Sequence, residues 1–208
     1  MPLHHHQVNV AHPATIRFLH WVWVYAIGCM VLSGWQIYNA SPSLPFSFPR
    51  WTGLGRWLGG ALAWHFSAMW LLAAAGLFYL VYGFASGHFK RDIGIPTPRE
   101  VLRDLSAAVT FRLGHALGYY NAVQRLLYIG VILALILQVL TGLAIWKPVQ
   151  LEPLVNLFGG YPIARNIHLA DMFLIVAFVI VHVTLVVIFP RTLVSMIVGT
   201  PTEPKSTA

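Results

Sequence analysis

Four apolar runs, at about 16–38, 62–84, 123–146 and 167–189, constrain this chain more than any other feature. Each spans 23 or 24 residues. A helix of that length rises ~35 Å, enough to cross the ~30 Å hydrocarbon layer of a bilayer. The runs carry at most one Asp, Glu, Lys or Arg apiece: Arg17, none, Arg125 and Asp171 in turn. Lipid offers the backbone no hydrogen-bond partners, so only helices or a closed barrel span it, and runs this long select helices. Of 208 residues, 58% are hydrophobic and 9% charged, too little polar surface for a water-soluble globule of this size. The fold expected is an all-α membrane protein, a four-transmembrane-helix bundle. It should form one domain over 1–200, followed by a cytoplasmic tail at 201–208.

The formal charge of +7 suits nucleic acid in principle, but no basic stripe interleaves with exposed aromatics. The cations flank the apolar runs instead. With the N-terminus inside, nine of the 13 Lys and Arg fall on the inner side, and only Arg50, Arg56, Lys147 and Arg165 fall outside. That asymmetry places both termini in the cytoplasm. The short N-terminal tail runs straight into a full-length span, so no cleavable signal is expected. Residues 40–49, rich in Ser and Pro, read as an irregular external segment, and 50–60 brings Trp51 and Trp57 to the headgroup layer. The segment 147–164 holds Pro148, Pro153, Gly159, Gly160 and Pro162 and reads as mostly irregular. On the inner side, Thr97, Pro98 and Glu100 make a capping-box start for a surface helix. Val101, Leu102, Leu105, Ala108 and Val109 would be its membrane face. The third run has no histidine, so no internal repeat is evident.

An ionisable group inside a span is costly enough to point to function. His168 and His182 lie fourteen residues apart on the fourth run. At ~100° per residue both rings return to within ~40° of one direction, and they stand ~21 Å apart along the axis. His20 and His65 sit on the first and second runs. Matched by depth, His20 pairs with His182 near the inner face, while His65 and His168, which open their runs, pair near the outer one. Two imidazoles facing across a bundle suit the axial positions of a haem. Zinc would need three or four ligands at one depth, and without C-x-x-C-H no haem is covalently attached. Arg17 and Arg165 each precede a histidine by three residues, one turn nearer water. That spacing fits a propionate counter-charge and equally a side chain snorkelling at a helix end. Asp171 follows His168 by one turn, Cys29 reads as a packing residue, and His88, His115 and His4–His6 read as solvated. No nucleophile–base pair, carboxylate dyad or phosphate loop is present, so the chain moves electrons rather than breaking bonds.

The chain resembles the bacterial di-haem cytochromes b of the b561 type. These include the membrane subunits of nickel-iron hydrogenases, formate dehydrogenases and thiosulfate reductases. The resemblance rests on Arg17-Phe18-Leu19-His20-Trp21, on His65, on the His168–His182 interval, and on Asn121-Ala122-Val123-Gln124 with Tyr120 before it. It runs from about Pro13 to Gly199 and implies two non-covalent b-type haems in a bacterial inner membrane, with quinone exchange near the inner one. Asn121, Gln124 and Tyr128 share a helix face there, where amides suit a quinone carbonyl; helix capping and headgroup contact are the plainer roles. The function expected is an electron-transfer subunit. It would pass electrons from a periplasmic redox enzyme (of hydrogenase, molybdenum or iron–sulfur type) to the quinone pool of a respiratory chain. A self-contained superoxide:quinone oxidoreductase is the alternative. A haem-free transporter is a third reading, and such a protein would purify colourless.

Overall fold

The computed structural model describes residues 14–87, 95–109, 122–188 and 190–199, and its regular structure there is helical. Four long helices coincide with the apolar runs: α1 (Ala14–Ala40), α2 (Leu58–Ala85), α4 (Ala122–Trp146) and α6 (Tyr161–Ile188). Three shorter ones are α3 (Pro98–Val109), α5 (Glu152–Leu157) and α7 (Pro190–Ile197). The long helices pack as two hairpins, α1 against α2 and α4 against α6, and the hairpins make few close backbone approaches to each other. Alanines hold the close contacts. Ala61, Ala68 and Ala75 are buried on α2, Ala134 and Ala144 on α4, and Ala164 on α6. Between membrane helices, where burying apolar surface drives nothing, small residues let backbones approach and gain dispersion contacts. Leu19, Ala75 and Tyr79 form one cluster, joined by Trp23 of α1 and Ile132 of α4.

Two helices start earlier than hydropathy alone suggests. α2 begins at Leu58 and α6 at Tyr161, four and six residues before the apolar runs. Pro162 fits the first turn of α6 because the N–H it lacks has no helical acceptor there. His65 and His168 therefore do not open their spans. Each is the eighth residue of a 28-residue helix, ~10 Å from its start. The segment 147–164, expected to be irregular, contains α5, with Pro153 in its first turn for the same reason. Val155 of α5 packs on Ala144 and Ala164, both fully buried, and so ties the α4–α6 connection down.

The segment 41–49 is irregular, as expected, but fixed. Asn39 clasps the backbone of Phe48, donating to its carbonyl (3.0 Å) and accepting from its N–H (2.8 Å). Phe48 stacks on Trp35, and Phe46 and Phe48 reach Phe173 of α6 at 6.2 and 6.0 Å between ring centroids. This aromatic strap links the hairpins at one end of the bundle. At the other end, Arg17 donates from Nη1 to the Ile197 carbonyl (2.9 Å) and Trp21 from Nε1 to the Met196 carbonyl (3.3 Å). α1 thereby supplies a cation and two donors to the unpaired carbonyls that end α7.

α3 starts with the capping box read from the sequence: the Thr97 N–H donates to Glu100 Oε2 (2.9 Å) and the Glu100 N–H to Thr97 Oγ1 (3.3 Å). The Thr97 N–H, more than any other group, holds the Glu100 carboxyl below its usual range. Asp104 accepts the Ala122 N–H at 2.8 Å, and that bond is the main reason its own carboxyl is held low. A residue of α3 thus caps the start of α4, and Arg125 adds an ion pair to Glu100 at 3.4 Å. Leu102 and Leu105 are exposed, as a membrane-facing side requires; the side chains of Ala108 and Val109 lie outside the described residues.

Candidate cofactor sites in the bundle

His20 is the seventh residue of α1, and His182 lies six residues before the end of α6. Because α1 and α6 run in opposite directions, these positions coincide in depth, and the ring centroids are 6.1 Å apart at an interplanar angle of 60°. Phe178 stacks on His182 at 5.8 Å and 11°, and Trp21 meets His20 edge-on. Two imidazoles bound on opposite sides of one metal ion, with metal–nitrogen bonds of ~2.0–2.1 Å, have centroids ~6.4 Å apart. The separation therefore fits a doubly ligated iron between α1 and α6.

His65 of α2 and His168 of α6 lie toward the opposite end, each the eighth residue of its helix. Each ring is gripped within its own hairpin. Ser33 Oγ of α1 is 3.0 Å from His65 Nδ1, and Thr141 Oγ1 of α4 is 3.0 Å from His168 Nδ1. A glycine follows each hydroxyl residue and faces the same ring. A Cβ on Gly34 would stand 3.6 Å from His65 Cε1, and one on Gly142 would stand 3.2 Å from His168 Cε1. Gln138 lies 3.2 Å from His168 Nε2. With its amide oxygen turned to the ring, its nitrogen reaches Asp171 Oδ2 at 3.0 Å and the His168 carbonyl at 3.1 Å. Asp171 is buried, and its Oδ1 has no hydrogen-bond partner among the described residues.

The donor set is one that a b-type haem uses: imidazoles in two groups, on helices from both hairpins. Among the described residues no three His, Cys, Asp or Glu converge, so a zinc-type cage has no counterpart there. Between the hairpins the close backbone approaches are few, and a glycine stands beside each of the His65 and His168 rings. On these observations the residues fit such a group. Arg17 contacts α7 while its Nε stays buried without a partner. Arg165, half-buried in the second turn of α6, makes no hydrogen bond or ion pair among the described residues.

Gln124 lies in the first turn of α4, half-buried, and Tyr128 one turn further on is exposed. Asn121 and Tyr120, like His88, His115 and His4–His6, lie outside the described residues. Sequence reasoning missed Ser33, Thr141 and Gln138. The available signal was a Ser-Gly and a Thr-Gly pair in otherwise apolar runs, each toward the end that faces a histidine on the next long helix.

The chain is 46% identical over 194 residues to a protein of Azospira oryzae named "Putative protein-methionine-sulfoxide reductase subunit YedZ1". The match covers 93% of this chain and 98% of that protein. The sequence profile of the prokaryotic cytochrome b561 family matches residues 11–199. With four membrane-crossing helices and histidines grouped inside them, the chain is a multi-pass membrane protein of the prokaryotic cytochrome b561 family, built for transmembrane electron transfer with b-type haem.

Proposed function

We propose that this chain connects the membrane quinone pool to a redox enzyme on the far side of the membrane. His20 and His182 would hold one b-type haem, and His65 and His168 a second. Bound there, the haems would supply one-electron relays between the two faces. The observation that carries the proposal is the facing pair His20–His182, 6.1 Å apart and drawn from different hairpins. The fourteen-residue interval on α6 puts His168 ~21 Å away along the axis, so two sites divide the membrane thickness between them.

The charge asymmetry of the loops supports a cytoplasmic His20–His182 end and an external His65–His168 end. At the cytoplasmic end, Gln124 and Asn121 are positioned by sequence to hold a quinone head group. Arg17 and Arg165 would each neutralise a haem propionate, Arg17 while also holding α7. At the external end, Arg50, Arg56, Lys147 and the exposed Trp51 and Trp57 offer a docking rim for a partner.

The relative's name bears on direction. Reducing a methionine sulfoxide to the thioether consumes two electrons and two protons and releases water. A subunit serving that reaction takes electrons from quinol and delivers them outward, the reverse of the direction expected from the sequence. We assign the outward direction, with a sulfoxide-reducing partner. The test uses the purified chain in liposomes with a water-soluble quinol analogue. Quinol should reduce both haems, Asn121→Leu with Gln124→Leu should slow this several-fold, and the partner with methionine sulfoxide should reoxidise them. Haems that quinol leaves oxidised but an external donor reduces would reverse the direction. Rapid quinone reduction driven by superoxide, with no partner, would replace the subunit role altogether.

A further inference from the structure

The hairpins carry the same device at the His65–His168 end although their sequences do not repeat. His65 and His168 each occupy the eighth position of a 28-residue helix. Opposite each stands a fully buried hydroxyl residue, Ser33 or Thr141, followed by a glycine against the ring. Each hydroxyl donates to the carbonyl four residues earlier in its own helix: Ser33 Oγ to Cys29 (2.5 Å) and Thr141 Oγ1 to Leu137 (2.8 Å). Each hydroxyl also lies 3.2 Å from the carbonyl three residues earlier, Ser33 from that of Met30 and Thr141 from that of Gln138.

We infer that Ser33 and Thr141 are positioning residues for one and the same metal-bound group, setting the orientation and donor strength of its two axial imidazoles from opposite hairpins. The inference rests on the assignment of His65 and His168 as a ligand pair. Iron on Nε2 would displace the Gln138 amide, which lies 3.2 Å from His168 Nε2 in this structure, and would leave the ring proton on Nδ1, while the one hydroxyl proton on each side is committed to a helix carbonyl. The hydroxyl oxygen is then the acceptor for Nδ1–H. Such a bond raises the basicity of the ligating nitrogen and fixes the ring about its Cβ–Cγ axis. A more basic ligand favours ferric over ferrous iron, so the pair lowers the potential of the haem it serves. The glycines let the partner helix come close enough for the hydroxyls to reach.

The experiment is a spectroelectrochemical titration of the purified, haem-loaded protein with Ser33→Ala, Thr141→Val and Thr141→Ser. Ser33→Ala and Thr141→Val should each raise the potential of the same haem. The expected change is up to about tenfold in its reduced-to-oxidised ratio at fixed potential, ~59 mV for one electron. The other haem should not move. Thr141→Ser keeps the oxygen and should stay near wild type, with the low-spin ferric resonance shifted only in the two hydroxyl-free variants. No shift, or a Thr141→Ser shift as large as that of Thr141→Val, would overturn the inference while leaving the haem assignment intact; shifts in different haems would overturn both the inference and the pairing of His65 with His168. A wild-type protein without haem would instead sink the assignment itself.

Discussion

Replacing Gly142 or Gly34 with Ala adds the same methyl group beside two corresponding histidines, yet the results should differ. At Gly34 the new Cβ would lie 3.6 Å from His65 Cε1 and 3.9 Å from Nδ1, ordinary van der Waals contact. Ala is the better helix former by ~1 kcal/mol, so Gly34→Ala should leave stability unchanged or raise it by up to that amount. At Gly142 the distances shrink to 3.2 Å and 3.7 Å, and the His168 ring must give by a few tenths of an ångström. It cannot swing freely, because Thr141 holds Nδ1. Overpacking of this kind costs ~1–3 kcal/mol, which the propensity gain offsets only in part. Gly142→Ala should be destabilised by about 0–2 kcal/mol and should lose or broaden the spectrum of the His65–His168 haem alone. Thermal melts in detergent with haem quantitation and low-temperature difference spectra read both effects. Equal behaviour of the two variants, with that haem's spectrum unchanged in Gly142→Ala, would mean the His168 ring is not held where the structure puts it.

Ala substitution of His20 and of His182 should delete the same haem, and substitution of His65 and of His168 the other, with haem-to-protein ratios halving in each case; loss of one haem by both His20→Ala and His65→Ala would break the pairing. Acidification should loosen the α3–α4 junction. The Glu100 and Asp104 carboxyls are held below their ordinary values of 4.5 and 3.8, so their anchoring is complete above about pH 5 and is lost as pH falls through the lowered values. Asp104→Ala, which removes the acceptor of the Ala122 N–H, should therefore cost ~1 kcal/mol at neutral pH and less at strongly acid pH, measured by denaturation across pH.

The four spans were legible because hydropathy registers directly how far a helix stays in lipid. Their starts were less so. Gly59, Gly60 and Pro162 punctuate the sequence like a loop, yet each is accommodated in a first helical turn, where its usual disruptive effect is absent. The capping box at Thr97–Glu100 was readable because all its partners are local. The grip of Ser33 on His65 was not, because it depends on which helices pair and in what rotation. Arg17 shows the same limit from the other side. Its acceptor, Ile197, is 180 residues away, and no local pattern announces a contact of that span.

The division of ligands between hairpins also orders the making of the protein. Each proposed pair takes one histidine from the first hairpin, His20 or His65, and its mate from α6, which leaves the ribosome last among the four spans. A nascent chain holding only α1 and α2 therefore displays two single imidazoles and no complete site. On that pairing, cofactor acquisition would follow synthesis of the fourth span. The His65–His168 site can close first, and the His20–His182 site awaits the last turns of α6, just before α7 reaches back to Arg17 and joins the two ends of the chain.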